Sequence, residues 1–227
     1  MKQAGRRLVR WLLTIYDIVF SYLHASIYPY RLAFAMNKRH YTRRAAVRSM
    51  LIGWLNVQSL TNKTDAVSEL VVDRSMDVLA LTETWHSASD DVRLRLATPE
   101  GYSVVEVARG AGRGGGVVVI FNKQLRCSQI PLPSCDTFEA ICGPVVLLNI
   151  YQPGSSARFY DELTSVLEVL VFHCCPVVVG GDINVRVNDV DDNDARRRSD
   201  LLATFDIVQH VNAPTQVIAV EGHWIWS

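Results

Sequence analysis

The chain has 227 residues, 49% of them hydrophobic and 20% charged. That is enough for one substantial domain plus an extension, too short for two large domains and too apolar for a wholly disordered chain. The formal net charge is zero, but residues 1–50 carry ten Lys/Arg against one acid, Asp17, so the first segment is at +9 and the remainder at −9. The split points to segments with separate roles, and the acidic remainder argues against a domain that grips a polyanion through one broad basic face.

In chain order, the first pattern lies between Arg6 and Tyr28. Arg7, Arg10, Thr14, Asp17, Ser21 and His24 recur at steps of three and four, which predicts a helix with one polar stripe and Leu8, Trp11, Leu12, Ile15 and Val19 on its other faces. Pro29 ends it. Three readings fit: a helix lying on or partly in a membrane, an Arg-rich organelle-targeting segment, and an extension without a selected function. The basic cluster Lys38–Arg48 reads as a solvated linker. The expected organisation is therefore an extension over 1–49 and a domain over 50–227.

From Met50 the pattern is that of an α/β domain. Strands are expected over 51–57, 77–82, 102–107, 117–121, 145–151 and 176–179, and helices over 65–74, 159–172 and 195–208. The β-branched runs near 145–151 and 176–179 suit strands buried on both faces. RGAGRGGG (109–116) joins two strands and lacks the GK[ST] ending of a P-loop, so it reads as a mobile hairpin tip. The five cysteines include no CxxC pair and read as reduced thiols of an intracellular protein; zinc held by His173 and cysteines is disfavoured by their spacing. NDVDDND (188–194) has the start of a calcium loop, but Asp194 stands where such a loop needs glycine.

Four acid or amide positions fall just past apolar strand runs: Asn56, Glu83, Asp182 and Asn184. Strand ends are where an α/β sheet offers side chains to a ligand crevice. In VVVGGDIN (177–184) Asp182 and Asn184 alternate with Ile183 and so share a face, while the two glycines let the backbone turn tightly at the rim. Taken singly, Asp182 could be an Asx turn, Glu83 an exposed strand-end acid and Tyr151 a core tyrosine with a surface hydroxyl.

The order LNVQSL (55–60), LALTETW (79–85), GRGGGVVVIF (112–121), LLNIYQPG (147–154), GGDIN (180–184) and FDIVQHVNAPT (205–215) resembles the endonuclease/exonuclease/phosphatase superfamily, in the branch carried by non-LTR retrotransposons. The resemblance implies an α/β four-layer αββα sandwich, two mixed β-sheets flanked by helices. It implies a metal-dependent phosphodiester hydrolase acting on DNA with Mg²⁺ or Mn²⁺, nuclear in setting, with reverse transcriptase outside this chain. Glu83 matches the metal ligand, with Asn56 beside it. Tyr151 matches the tyrosine near the scissile phosphate, Asp182 the acid that orients or deprotonates water, and Asn184 the amide that holds phosphate or water.

After Pro214-Thr215 the pattern departs. Gln216 stands where a histidine is expected, Gly222-His223 runs into Trp-Ile-Trp-Ser, and neither the Leu-Asp aspartate nor a Ser-Asp-His ending occurs in residues 216–227. The resemblance thus implies a C-terminally truncated domain with weak or no activity. Alternatives are a phosphatase of the same superfamily and a non-catalytic protein that meets a membrane or partner through residues 6–28.

Overall fold

A computed structural model describes residues 13–18, 50–87, 91–108, 114–125, 129–143, 146–154, 156–172, 177–183, 193–207, 217–220 and 223–226. The elements in order are β1 (Leu13–Ile18), β2 (Met50–Asn56), α1 (Thr64–Asp73), β3 (Val78–Thr82), α2 (Asp91–Ala97), β4 (Tyr102–Val107), β5 (Val117–Asn122), β6 (Glu139–Cys142), β7 (Leu147–Tyr151), α3 (Phe159–Val171), β8 (Val178–Asp182), α4 (Asn193–Thr204), β9 (Val217–Val220) and β10 (His223–Trp226).

Two mixed sheets form, in the orders β1-β2-β3-β5-β4 and β6-β7-β8, and β9 pairs with β10 as a separate ribbon. Each sheet is built around one parallel pair, β2/β3 and β7/β8. In each pair the crossover carries a helix, α1 or α3, as parallel neighbours require.

Alternation along the strands sorts the core into layers. Leu79 and Leu81 of β3 and Val118 and Ile120 of β5 face outward onto Val67 and Val71 of α1 and Leu94 and Ala97 of α2. Their neighbours Val78, Ala80, Val117, Val119 and Phe121 face inward and meet Ile141, Leu147 and Tyr151 of the second sheet. Leu148 and Ile150 of β7 face the far side, against Phe159, Leu163, Val166, Leu167 and Leu170 of α3 and Leu201 of α4. The layers run helix, sheet, sheet, helix, the predicted four-layer α/β sandwich. Burial on both faces explains why β3 and β5 read as apolar runs and why β7 is interrupted only by Asn149.

Several expectations need correction. Leu13–Ile18 is not helical: it is a strand paired antiparallel to β2 from Leu13↔Leu55 to Ile18↔Met50. Thr14, Ile15, Tyr16 and Ile18 favour extended backbone, and pairing satisfies the second edge of β2. The rest of the expected helix, including the remainder of the membrane-contact segment 6–28, lies outside the described residues. Among the described residues no helix is long and apolar enough to cross a membrane. α1 buries Val67 and Val71, with Ala66 exposed. Cys135 and Cys142 are not in disulfides, and burial, with Glu162 and Asp136 nearby, pushes the Cys135 thiol up to about 11. Cys127, Cys174, Cys175, His173 and most of the calcium-like segment lie outside the described residues.

One surface acid ties the segment ahead of β6 to α3. Glu162 Oε2 accepts hydrogen bonds from Asp136 N–H (3.0 Å), Thr137 N–H (3.0 Å) and the Thr137 hydroxyl (2.8 Å), and Oε1 accepts one from Arg158 (2.9 Å). Desolvation pushes its carboxyl up, but the bonds from Thr137 and Asp136 and the charge of Arg158 outweigh it and hold the group below the ordinary glutamate value. A depressed folded value means that this stabilisation is complete above the unfolded value of about 4.3 and is lost as pH falls through the folded value. Glu162→Gln is expected to lower unfolding stability by about 1–2 kcal/mol at neutral pH. In urea titrations the gap between variant and wild type should close as pH falls below about 4.

Candidate active site

The two parallel pairs end at the same rim. β2 ends at Asn56, β3 leads into Glu83, β7 ends at Tyr151 and β8 ends at Asp182. Asn56 is level with Thr82, and Tyr151 with Asp182, so each sheet contributes two adjacent strand ends.

Asn56 joins the two sheets. Its Nδ2 donates to Glu83 Oε1 at 3.1 Å and to Asp182 Oδ2 at 2.6 Å. Its Oδ1 accepts from Gln58 N–H at 3.1 Å, which fixes the amide with its NH₂ toward the carboxylates. Two acids separated by 99 positions in the chain thereby converge on one neutral donor. Tyr151 lies beside Asp182 in register and is 6% exposed, within the inter-sheet core. Asn184 lies outside the described residues.

The glycines before Asp182 are explained by close packing. A Cβ on Gly180 would overlap the Trp54 indole of β2, and one on Gly181 (φ +136°) would overlap the Ile150 carbonyl oxygen of β7. Tight turning at the rim, the expected reason, is secondary: Gly180 lets one sheet approach the other, and Gly181 lets β8 lie close to β7 just before Asp182. Asn149, fully buried on β7, adds a polar tie across the same interface, donating from Nδ2 to Leu81 O at 2.9 Å.

The turn that carries Glu83 is held from several sides. Val57 N–H donates to Thr82 O (3.0 Å), Ser59 N–H to Glu83 O (2.7 Å) and Leu60 N–H to Thr84 O (3.0 Å). Thr84 N–H donates to Gly116 O (3.2 Å) and Trp85 N–H to Gly115 O (2.9 Å). His86 is buried, its Nδ1 2.6 Å from Thr84 Oγ1 and its Nε2 2.7 Å from Glu106 Oε2. Gly116 N–H donates to Glu139, and Glu139 is level with Tyr151. The end of the glycine-rich loop, 114–116, is therefore a packed part of the site, while 109–113 lie outside the described residues: Gly116 (φ +87°) is buried, and a Cβ there would sit 2.6 Å from Thr84 Oγ1 and 2.9 Å from His86 Nδ1. Nothing in the local sequence marks His86, Glu106, Glu139 and Asn149, because each meets a partner distant in the chain, and Thr84 is marked only through His86.

Hydroxyl, imidazole and carboxylate in series resemble a nucleophilic triad, but Thr84 is fully buried beneath Gly116, so its hydroxyl has no access to a substrate. Among the described residues no group of three or more His, Cys, Asp or Glu side chains is placed to hold a metal, which excludes from them a zinc-type cage. The pair Glu83 and Asp182 is a different donor set. Hard oxygens on one or two carboxylates, completed by water and substrate phosphate, are what Mg²⁺ accepts.

The four-layer sandwich, with acids and amides gathered at the ends of its central strands, belongs to the class of α/β folds built from two mixed sheets with helices outside. The model of the Endonuclease/Exonuclease/phosphatase family matches residues 53–226, and the chain belongs to that family. Family members typically use a divalent metal ion. Among solved structures the chain is similar to the AP endonuclease of Leishmania major (TM-score 0.53, 16% identity), over 67% of this chain and 65% of that one. It is also similar to a 3'-5' exonuclease from Neisseria meningitidis (TM-score 0.52, 20% identity), over 66% of this chain and 69% of that one. A 3' phosphatase from Neisseria bound to a product DNA hairpin gives a TM-score of 0.51 at 20% identity, over 66% of this chain and 68% of that one. At these identities the likeness shows the fold. A comparison with curated proteins gives no match.

Proposed function

We propose that this domain is a phosphodiester hydrolase of the retrotransposon endonuclease type, acting on DNA with Mg²⁺ or Mn²⁺ at the Glu83–Asn56–Asp182 rim. The observation that carries the reading is the single amide of Asn56 bridging Glu83 and Asp182 across the two sheets. Glu83 would hold the cation, with Asn56 beside it. Such an ion, when bound, offsets charge on the phosphate oxygens and stabilises the leaving oxygen. Asp182 orients or deprotonates the attacking water, Tyr151 stands beside it at the scissile phosphate, and Asn184 holds phosphate or water. The motif order TETW, GGDIN and HVNAPT favours the retrotransposon branch.

Residues 1–227 taken alone carry no Ser-Asp-His group to meet the reacting phosphate. Losing one preorganised group of that kind lowers a rate by roughly a hundredfold to a thousandfold, so this polypeptide by itself is expected to nick supercoiled plasmid only slightly above background. Glu83→Ala and Asp182→Ala should remove the Mg²⁺-dependent remainder. Vigorous nicking by 1–227 would refute the weak-activity reading, and Mg²⁺-dependent nicking indifferent to both substitutions would refute the site.

A further inference from the structure

The turn after β3 alternates its side chains. Thr84 and His86 are buried, Glu83 is half-exposed at the rim, and Trp85 is 45% exposed. Glu83 and Trp85 both have left-handed backbone, φ +52° and +53°. That conformation is unfavourable for a bulky non-glycine residue and persists only where surroundings over-determine it. The surroundings do so here: Gly115 and Gly116 hold the backbone of residues 84 and 85, and His86 is anchored on Glu106. An indole is thus held in solvent by a rigid corner, two residues from Glu83, a span of at most about 7 Å.

Two cations are bonded to the loop next to this corner. Lys63 Nζ donates to Val57 O (2.6 Å) and Gln58 O (3.1 Å), in the loop that follows Asn56. Arg93 of α2 donates to Thr61 Oγ1 (2.8 Å) in the same loop. That loop is bonded through Ser59 and Leu60 to Glu83 and Thr84. An exposed aromatic face beside cations that can meet phosphates is the arrangement that binds single-stranded nucleic acid, with bases stacked and backbone neutralised.

We propose that Trp85, with Lys63 and Arg93 held on the loop bonded to its corner, is a stacking ledge for an unpaired base of the DNA strand whose phosphate lies at Glu83. The inference rests on the hydrolase reading for the position of that phosphate. The ledge selects substrates with a locally unpaired base and acts in binding, separately from the groups at the phosphate.

The test is fluorescence anisotropy with short labelled DNA oligonucleotides, single-stranded or fully duplex, in EDTA so that no cleavage occurs. Trp85→Ala is expected to weaken single-strand binding about tenfold and duplex binding much less, and Trp85→Phe to retain affinity within about threefold. Val72→Ala, an exposed apolar residue on α1, serves as the control and should change nothing. Arg93→Gln should lower the salt slope of single-strand binding by about 0.7. Circular dichroism establishes that each variant is folded. Wild-type affinity in Trp85→Ala, an equal loss in Val72→Ala, or no single-strand binding by wild type would each overturn the ledge. Loss in Trp85→Ala alongside Mg²⁺-dependent nicking that is indifferent to Glu83→Ala and Asp182→Ala would keep the ledge and remove the hydrolase site. Hydrolysis that needs Glu83, with unchanged affinity in Trp85→Ala, would do the reverse.

Discussion

Gly181→Ala is expected to destabilise the domain by about 4 kcal/mol or more, enough to leave much of it unfolded. The methyl group would overlap the Ile150 carbonyl oxygen, with Ile150 N also only 2.7 Å away, at φ +136°. These obstacles are backbone atoms of a paired strand, so no rotamer change relieves them. Relief requires β8 to separate from β7, which breaks the register at Ile150↔Gly181 and Tyr151↔Asp182. Gly180→Ala should cost about 1–3 kcal/mol, because its methyl meets the Trp54 side chain, which can shift at the expense of inter-sheet packing. Urea midpoints rank the three proteins, with wild type the most stable and Gly181→Ala the least. A Gly181→Ala protein as stable as wild type would mean that β7 and β8 do not lie together as described.

The second large effect concerns Asn56→Asp, which exchanges the bridging donor for a third carboxylate. In wild type the amide NH₂ meets Glu83 at 3.1 Å and Asp182 at 2.6 Å. The substitution removes both bonds and sets like charges together, so a loss of about 2–4 kcal/mol is expected without metal at neutral pH. A divalent cation should offset the three charges and bind the native state preferentially. Millimolar Mn²⁺ should then raise the melting temperature of Asn56→Asp by more than it raises that of wild type. Asn56→Leu, which removes the donor without adding charge, should lose stability and gain little from metal. Equal Mn²⁺ responses in the two variants would show that Asn56 does not stand between converging carboxylates.

The elements legible in the sequence are those with strong local pattern. β3, β5 and β7 are recognisable as largely apolar runs, β7 interrupted only by Asn149, because both of their faces are buried. α3 was recognisable because Phe159, Leu163, Val166, Leu167 and Leu170 recur at helical spacing. β6 and α2 were not, since four and seven residues are too few to show a period. Leu13–Ile18 misled because its polar residues fit a helical stripe, while its β-branched content and the open edge of β2 favour a strand. At the candidate site, Asn56, Glu83, Tyr151 and Asp182 are legible from their place at strand ends and from motif order. Nothing local marks His86, Glu106 or Glu139, whose positions in the site exist only through contacts made on folding. Gly180 and Gly181 were noticed in the sequence, but their spatial reason, Trp54 and the Ile150 backbone, became visible only in three dimensions.

Glu83, with Asn56 beside it, is the proposed cation site of this domain. Titration of the protein with Mn²⁺, following the free-ion signal by electron paramagnetic resonance, tests it without reference to catalysis. One Mn²⁺ site in wild type is expected, weakened at least about tenfold by Glu83→Gln, changed less by Asp182→Asn and left intact by Trp85→Ala, with all four proteins folded by circular dichroism. Equal Mn²⁺ affinity in wild type and Glu83→Gln would contradict it.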